Sequence, residues 1–136
     1  MTNGTAIIKQ SVFMPATPEE VYEAYTNPEL HSEFTGAKAT GTPEVGEAFT
    51  AWDGYIEGQY VELDPGKRVV QTWSTSEWPE HAAPSTLELT FDEKDGGTNI
   101  TLVQTDVPSE QSDDYDEGWH SSYWEPMKAY FEAKQN

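Results

Sequence analysis

The chain contains no cysteine. Thiol nucleophiles, disulfides and thiolate metal sites are therefore excluded, and the nucleophiles left are Ser, Thr, Tyr and Lys. Three histidines remain: His31, His81 and His120. None pairs with another at a metal-ligating interval, so no metal site and no cofactor are predicted. His31 sits between Leu30 and Ser32 and reads as a surface or helix-end residue. His81 follows Trp78-Pro79 in a loop that could cover a pocket mouth, which makes it the better candidate for gating or ligand contact. His120 and Ser121 are adjacent on a helical stretch and do not face each other, which argues against a triad. The pairs Glu19-Glu20, Asp113-Asp114 and Asp116-Glu117 fit helix N-terminal charge and solvated surface better than acid/base partnership. A general acid needs a buried, perturbed carboxyl. Asp106 and Glu57 are the two to test, because each falls in a predicted strand that could line a cavity. No catalytic residue is assigned on sequence.

The aromatic residues carry a stronger signal. Five Trp, seven Tyr and five Phe are many rings for so short a chain. Core packing accounts for such rings, and so does a ring-lined pocket with a few polar handles. The cavity candidates are Tyr60, Gln71, Trp73, Leu89, Phe91, Gln104, Trp119, Tyr123 and Met127, with Trp78 and His81 as a possible gating loop.

These residues need elements to position them. Trp119, Tyr123, Met127, Tyr130 and Phe131 recur at three- and four-residue intervals, the spacing of one helical stripe. Ser112 or Asp113 can cap that helix, and Asp113, Asp114 and Asp116 suit its N-terminal dipole. Pro126 lies inside the stripe and cannot donate to the carbonyl of Ser122. Because the stripe resumes in phase at Met127, a bent but continuous helix to about Ala133 is predicted. Upstream, Ala6–Met14 alternates as a strand. Thr17, Pro18 and Glu20 form a capping-box signature, and Asn27-Pro28 separates two short helices. Strands are predicted over Ala37–Thr42, Glu47–Trp52, Tyr55–Leu63, Lys67–Ser74, Thr86–Asp92 and Asn99–Val107. Asp53-Gly54, Asp64-Pro65-Gly66 and Asp95-Gly96-Gly97 supply the turns. Hairpin-length links make the sheet antiparallel, and the long helix is the cover for its apolar face. The class is α+β.

With 136 residues, one domain over 1–136 is expected. Twenty-five acidic against seven basic residues give a formal charge of −18. Such a surface repels phosphate backbones, so nucleic acid and anionic membranes are poor partners. It fits either a solubilising surface adapted to salt or a docking face for a basic partner. No run approaches a membrane span, and MTNGTAIIKQ lacks a signal-peptide layout. A cytoplasmic protein is expected.

The runs GYIEGQYVELDPGKRVVQTWSTSEWPE, STLELTFDEKDGGTNITLVQTDVP and EGWHSSYWEPMKAYFE together resemble the C-terminal domain of the activator of heat-shock protein 90 ATPase. The family's habitual features stand here as Gly58, Pro65, Trp73, Trp78-Pro79, Leu89-Thr90-Phe91 and Gly118-Trp119, and the likeness runs from Phe13 to Phe131. It implies the helix-grip fold of START-like (SRPBCC) proteins: a curved antiparallel sheet of about six or seven strands around a long C-terminal helix, with two short helices after the first strand. It further implies a non-enzymatic, stress-associated binding module. The occupant is a small hydrophobic ligand held between helix and sheet, or a chaperone of the heat-shock protein 90 type. The alternative is a cyclase, dehydratase or hydrolase working through a pocket carboxylate or His.

Overall fold

The computed structural model describes residues 4–79 and 82–134. Strand β1 (Thr5–Met14) follows the predicted alternation: Ile8 and Met14 are buried, while Ile7 and Phe13 are exposed. Helix α1 (Pro18–Thr26) opens with the full capping box, in which Thr17 Oγ1 accepts from the Glu20 amide and the Glu20 carboxylate accepts from the Thr17 amide. Asn27 then caps α2 (Pro28–Thr35) by accepting from the amides of Glu29 and Leu30. Gly36, at φ 79°, ends that helix in the left-handed conformation that glycine adopts without strain.

Among the described residues seven strands form one antiparallel sheet in the order β1-β7-β6-β5-β4-β3-β2. The others are β2 (Thr40–Gly41), β3 (Ala48–Ala51), β4 (Ile56–Asp64), β5 (Arg68–Thr75), β6 (Ser85–Lys94) and β7 (Gly97–Pro108). The run Ala37–Thr42 shrinks to the two residues of β2, since its Ala and Gly residues give a longer pairing little to hold. β4 and β5 pack so closely that a Cβ on Gly58 would stand 1.9 Å from the Thr72 carbonyl oxygen. That approach, rather than a turn, is what requires glycine in the middle of a strand.

Both carboxylates considered for acid chemistry face away from the core. Glu57 follows buried Ile56 along β4 and is exposed. Asp106 sits at a bulge, where the β1–β7 register shifts between Ala6↔Val107 and Ile8↔Gln104. Its φ of 64° turns Gln104 and Val107 inward and leaves Asp106 outside. Strand alternation alone cannot reveal such a slip.

The terminal helix runs from α3 (Ser112–Gly118) through a π-helical turn (Trp119–Trp124) into α4 (Glu125–Lys134). Gln111 precedes it without a side-chain cap, and the Ser112 hydroxyl donates to the Ser109 carbonyl instead. The helix stays continuous through Pro126, and the wider turn just before it absorbs the missing donor: the Glu125 amide donates to the His120 carbonyl, five residues back. The extra residue in that turn also brings Trp124 to the buried side with Trp119 and Tyr123. A strict 3.6-residue period does not place it there. Trp124 stacks on Trp119 at 5.5 Å and its indole N–H donates to Gln10 of β1. The result is the expected α+β arrangement, a sheet with a long helix against one face. No helix among the described residues is long and apolar enough to cross a membrane.

Candidate functional site

Between the first half of the terminal helix and the sheet, a cleft of about 300 Å³ remains open. Ile56 and Trp73 form its sheet wall, and Trp52 and Tyr55 flank the β3–β4 turn. Tyr115, Gly118, Trp119, Ser122 and Tyr123 form its helix wall. The Asp53-Gly54 turn predicted from sequence carries Trp52 with it: Trp52 and Asp53 adopt φ 53° and 59°, which lifts the Trp52 ring toward the helix. It meets Tyr123 edge-on at 6.5 Å. Trp73 packs on Trp119 at 5.7 Å and meets Tyr115 edge-on at 5.2 Å.

The rim is polar and acidic. The Tyr55 hydroxyl donates to the Glu77 carboxylate at 2.5 Å, and the Tyr115 hydroxyl bonds Thr75 at 2.7 Å and Gln111 at 2.8 Å. Burial, followed by the Glu77 carboxylate, holds the Tyr55 phenol well above its usual range. Tyr115 is raised chiefly by burial, with Glu77 and Asp114 adding to it. Trp78 stacks on Tyr115 at 5.8 Å and donates its N–H to the Ala83 carbonyl, so it stands beside the mouth. His81, predicted with it as a gate, lies outside the described residues.

The floor is held by a hydrogen-bonded chain. Trp119 Nε1 donates to Gln104 Oε1 at 2.9 Å, Gln104 Nε2 donates to Ser85 Oγ at 2.9 Å, and Ser85 donates to the Trp73 carbonyl at 2.7 Å. The other two indoles bordering the cleft differ. Among the described residues, the buried Nε1 atoms of Trp52 and Trp73 have no hydrogen-bond partner. Trp52 Nε1 lies close enough to the Tyr123 hydroxyl to favour its ionised form, yet outside hydrogen-bond geometry. An unpaired buried donor costs about 1–3 kcal/mol.

His31 is not a surface residue. It is 6% exposed; Nδ1 lies 2.9 Å from the Tyr25 carbonyl and Nε2 lies 3.0 Å from the Tyr123 hydroxyl. A carbonyl only accepts, so Nδ1 carries the proton and Nε2 accepts from Tyr123. Burial depresses the His31 pKa below 6.5, against a smaller opposing effect of the Tyr25 carbonyl. Burial likewise raises Tyr123 far above 10. Both groups are neutral near pH 7, so Tyr123 is a hydrogen-bonding group there and not a base. Sequence reasoning missed this pair because nothing in the short stretch around Leu30 distinguishes a histidine aimed inward.

Of the predicted cavity residues, Trp73, Trp119 and Tyr123 border the cleft. Tyr60 and Gln71 instead line a second hollow of only about 10 Å³, together with Tyr25, His31 and Phe49. There the Tyr25 hydroxyl donates to Gln71 Oε1 at 2.7 Å. Leu89, Phe91, Gln104 and Met127 are buried core and border neither space. Tyr115, Gly118 and Ser122 were not anticipated. The signal for Tyr115 and Gly118 is present, since they precede Trp119 and Ser122 by about one helical turn. Among the described residues no three His, Asp or Glu side chains gather as a metal site.

Residues 15–132 match the family model described as activator of Hsp90 ATPase homolog 1-like protein. The human activator of 90 kDa heat shock protein ATPase homolog 1 is 35% identical over 116 residues, covering 85% of this chain and 34% of the relative. A homolog from Dictyostelium discoideum is 30% identical over 129 residues, covering 93% of this chain and 33% of its own length. The chain thus spans about a third of the length of these relatives. Among solved structures, an HSP90 activator from Plasmodium falciparum superposes with a TM-score of 0.80 at 20% identity, covering 93% of this chain and 95% of that one. The Aha1 dimer from Colwellia psychrerythraea gives 0.73 at 16% identity, covering 85% and 88%. The family match over nearly the whole chain, on the same helix-grip architecture, means that this chain belongs to the activator of Hsp90 ATPase homolog 1-like family.

Proposed function

We propose that the chain is a non-enzymatic binding module of the cytoplasm that takes a small, largely apolar ligand into the cleft beside the terminal helix. The observation that supports this reading is an open space of about 300 Å³ with six aromatic side chains among the nine residues that line it. A folded chain fills such apolar space unless something else does so. The cleft volume stands at the small end of ligand sites. The enzymatic alternative loses its sequence-based carboxylates, since Glu57 and Asp106 are exposed and border no part of the cleft.

The test is a thermal-shift screen of the full chain against uncharged aromatics, sterols and fatty acids, repeated with Gly118→Leu. A Cβ at Gly118 meets nothing within 4 Å, so a larger side chain enters unfilled space without displacing the core. Concentration-dependent stabilisation that Gly118→Leu removes supports the reading. A flat panel, or shifts that Gly118→Leu leaves intact, overturns it.

Family membership supports a second reading, docking to a chaperone of the heat-shock protein 90 type during stress, because relatives are named as activators of that ATPase. Its test is the ATPase rate of such a chaperone with and without this chain. Stimulation of the rate supports docking, and an unchanged rate with no complex on a sizing column counts against it.

A further inference from the structure

We propose that two copies of this chain pair through the free edge of β1, antiparallel and centred on Gln10, so that one sheet runs through both copies. The cleft plays no part in this pairing.

β1 and β2 stand at the two ends of the sheet. β2 is two residues long, and a short edge strand offers little to pair with. β1 has ten residues. It pairs β7 on one side and no strand on the other among the described residues. Along that free side alternate residues turn their N–H and C=O groups outward, a template for a further strand. No proline interrupts Thr5–Met14. Four large apolar side chains are exposed among the described residues, and two of them, Ile7 at 60% and Phe13 at 40%, belong to this strand. Both share its outer face with Lys9 and Ser11.

Charge restricts where two copies can meet. Each carries −18, so they repel wherever carboxylates are dense. β1 holds none of the twenty-five acidic residues, and Lys9 is its one charged side chain. β7 beside it adds only Asp106, at the bulge. On the helix side, Asp116 accepts from the Gln10 side-chain amide, and Asp113 and Asp116 border one hollow with Lys9.

The strand is complementary to itself in one register. Outer residues oppose outer residues across an antiparallel pair. With Gln10 opposite Gln10, Ile7 of each copy meets Phe13 of the other, and Lys9 meets Ser11. On the inner face Ile8 meets Val12 and Ala6 meets Met14. Centring on Lys9 sets Lys9 against Lys9 and Ile7 against Ser11. Centring on Ser11 sets Phe13 against Lys9 and leaves Ile7 beyond the partner strand. The Gln10 register joins apolar to apolar and keeps like charges apart, the two conditions that stabilise cross-strand pairs. A pairing centred on one residue is two-fold, the arrangement of a closed dimer.

The experiment follows the full chain by sedimentation velocity from about 10 µM to about 1 mM, in about 0.1 M and about 1 M NaCl. A dimer is expected, about tenfold tighter at the higher salt, where screening removes repulsion between the copies. Ser11→Lys sets two like-charge pairs across the interface and should weaken the dimer about tenfold, with thermal unfolding unchanged at a concentration where the chain is monomeric. If that variant does not fold, Ile7→Lys carries the comparison at an exposed position. Disulfide trapping reads the register, because the chain has no cysteine of its own. Lys9→Cys mixed with Ser11→Cys should cross-link as a heterodimer, and neither alone should do so at a comparable rate. A chain that stays monomeric throughout, a dimer that the Lys variants leave intact, or trapping of either single variant as fast as the mixture overturns the proposal. So does a foreign extended peptide that occupies the β1 edge while the chain remains monomeric.

Discussion

Two hollows lie against the same sheet, one beside the terminal helix and one beside α1 and α2, and Tyr123 of the first is hydrogen-bonded to His31 of the second. At one end, Tyr25, His31, Tyr60 and Gln71 close around about 10 Å³, and no buried side-chain polar atom there lacks a partner among the described residues. At the other end, Trp52, Trp73 and Trp119 border about 300 Å³, and two of those three indole nitrogens have no hydrogen-bond partner among the described residues. The first end shows what this chain does when a region serves only to hold the fold. It fills the space and leaves no fully buried side-chain polar atom unpaired among the described residues, because low dielectric makes an unpaired group expensive. The second end departs from that rule at the residues bordering the open space, which is where a ligand would complete the packing.

The sealed end should be the more sensitive to substitution. Removing the imidazole in His31→Ala leaves the Tyr123 hydroxyl and the Tyr25 carbonyl unpaired and opens a void, and should cost about 4 kcal/mol in urea unfolding. A loss below about 1 kcal/mol would end the distinction between the two hollows. The cleft indoles allow a finer comparison, since the same deletion can be made twice. Trp119→Phe strands Gln104 Oε1 and should cost about 3 kcal/mol, whereas Trp73→Phe removes a donor that was never paired and should cost about 1 kcal/mol. Equal losses would mean that Trp73 Nε1 has a partner in solution.

The pH dependence should separate the ends as well. The folded pKa of His31 is depressed below 6.5, so below that pH the unfolded chain takes up the proton more readily. The stability contributed by neutral His31 is complete above pH 6.5 and is lost as pH falls from there through the depressed value, at up to about 1.4 kcal/mol per pH unit. The difference in unfolding free energy between the native chain and His31→Gln should therefore shrink on acidification. A difference that stays constant would show that His31 is not held neutral by burial. The smallest effect belongs to the open end. Gly118 has helical dihedrals and free space for a Cβ, so Gly118→Ala should stabilise the chain by about 0.5–1 kcal/mol while narrowing the cleft. Destabilisation would mean that the space is closed in solution.

Local signals were legible at the level of elements. Thr17-Pro18-x-Glu20 announced its own cap, Asn27-Pro28 its own break, and the alternation of Leu87, Leu89 and Phe91 its own buried face. Each is settled within a few residues by backbone chemistry or by a period. The β1–β7 bulge was illegible because an inserted residue changes the phase without changing the composition, and it turned Asp106 from a cavity candidate into an exposed residue. The π-turn was hidden for a related reason: Pro126 announced a missing donor, but whether the helix bends or widens depends on what the neighbouring rings meet.

By itself the sequence determined the α+β class, the element order, the family resemblance and the two short caps. These follow from propensity, periodicity and turn chemistry, which act over short distances along the chain. Only the tertiary structure decided that Trp73, Trp119 and Tyr123 face a space while Leu89, Phe91, Gln104 and Met127 are packed solid. It also joined His31 to Tyr123, 92 residues away, and left two indoles without acceptors among the described residues. Burial and pairing are properties of atoms brought together from distant positions, and one helix turn wound by an extra residue is enough to change which of them meet.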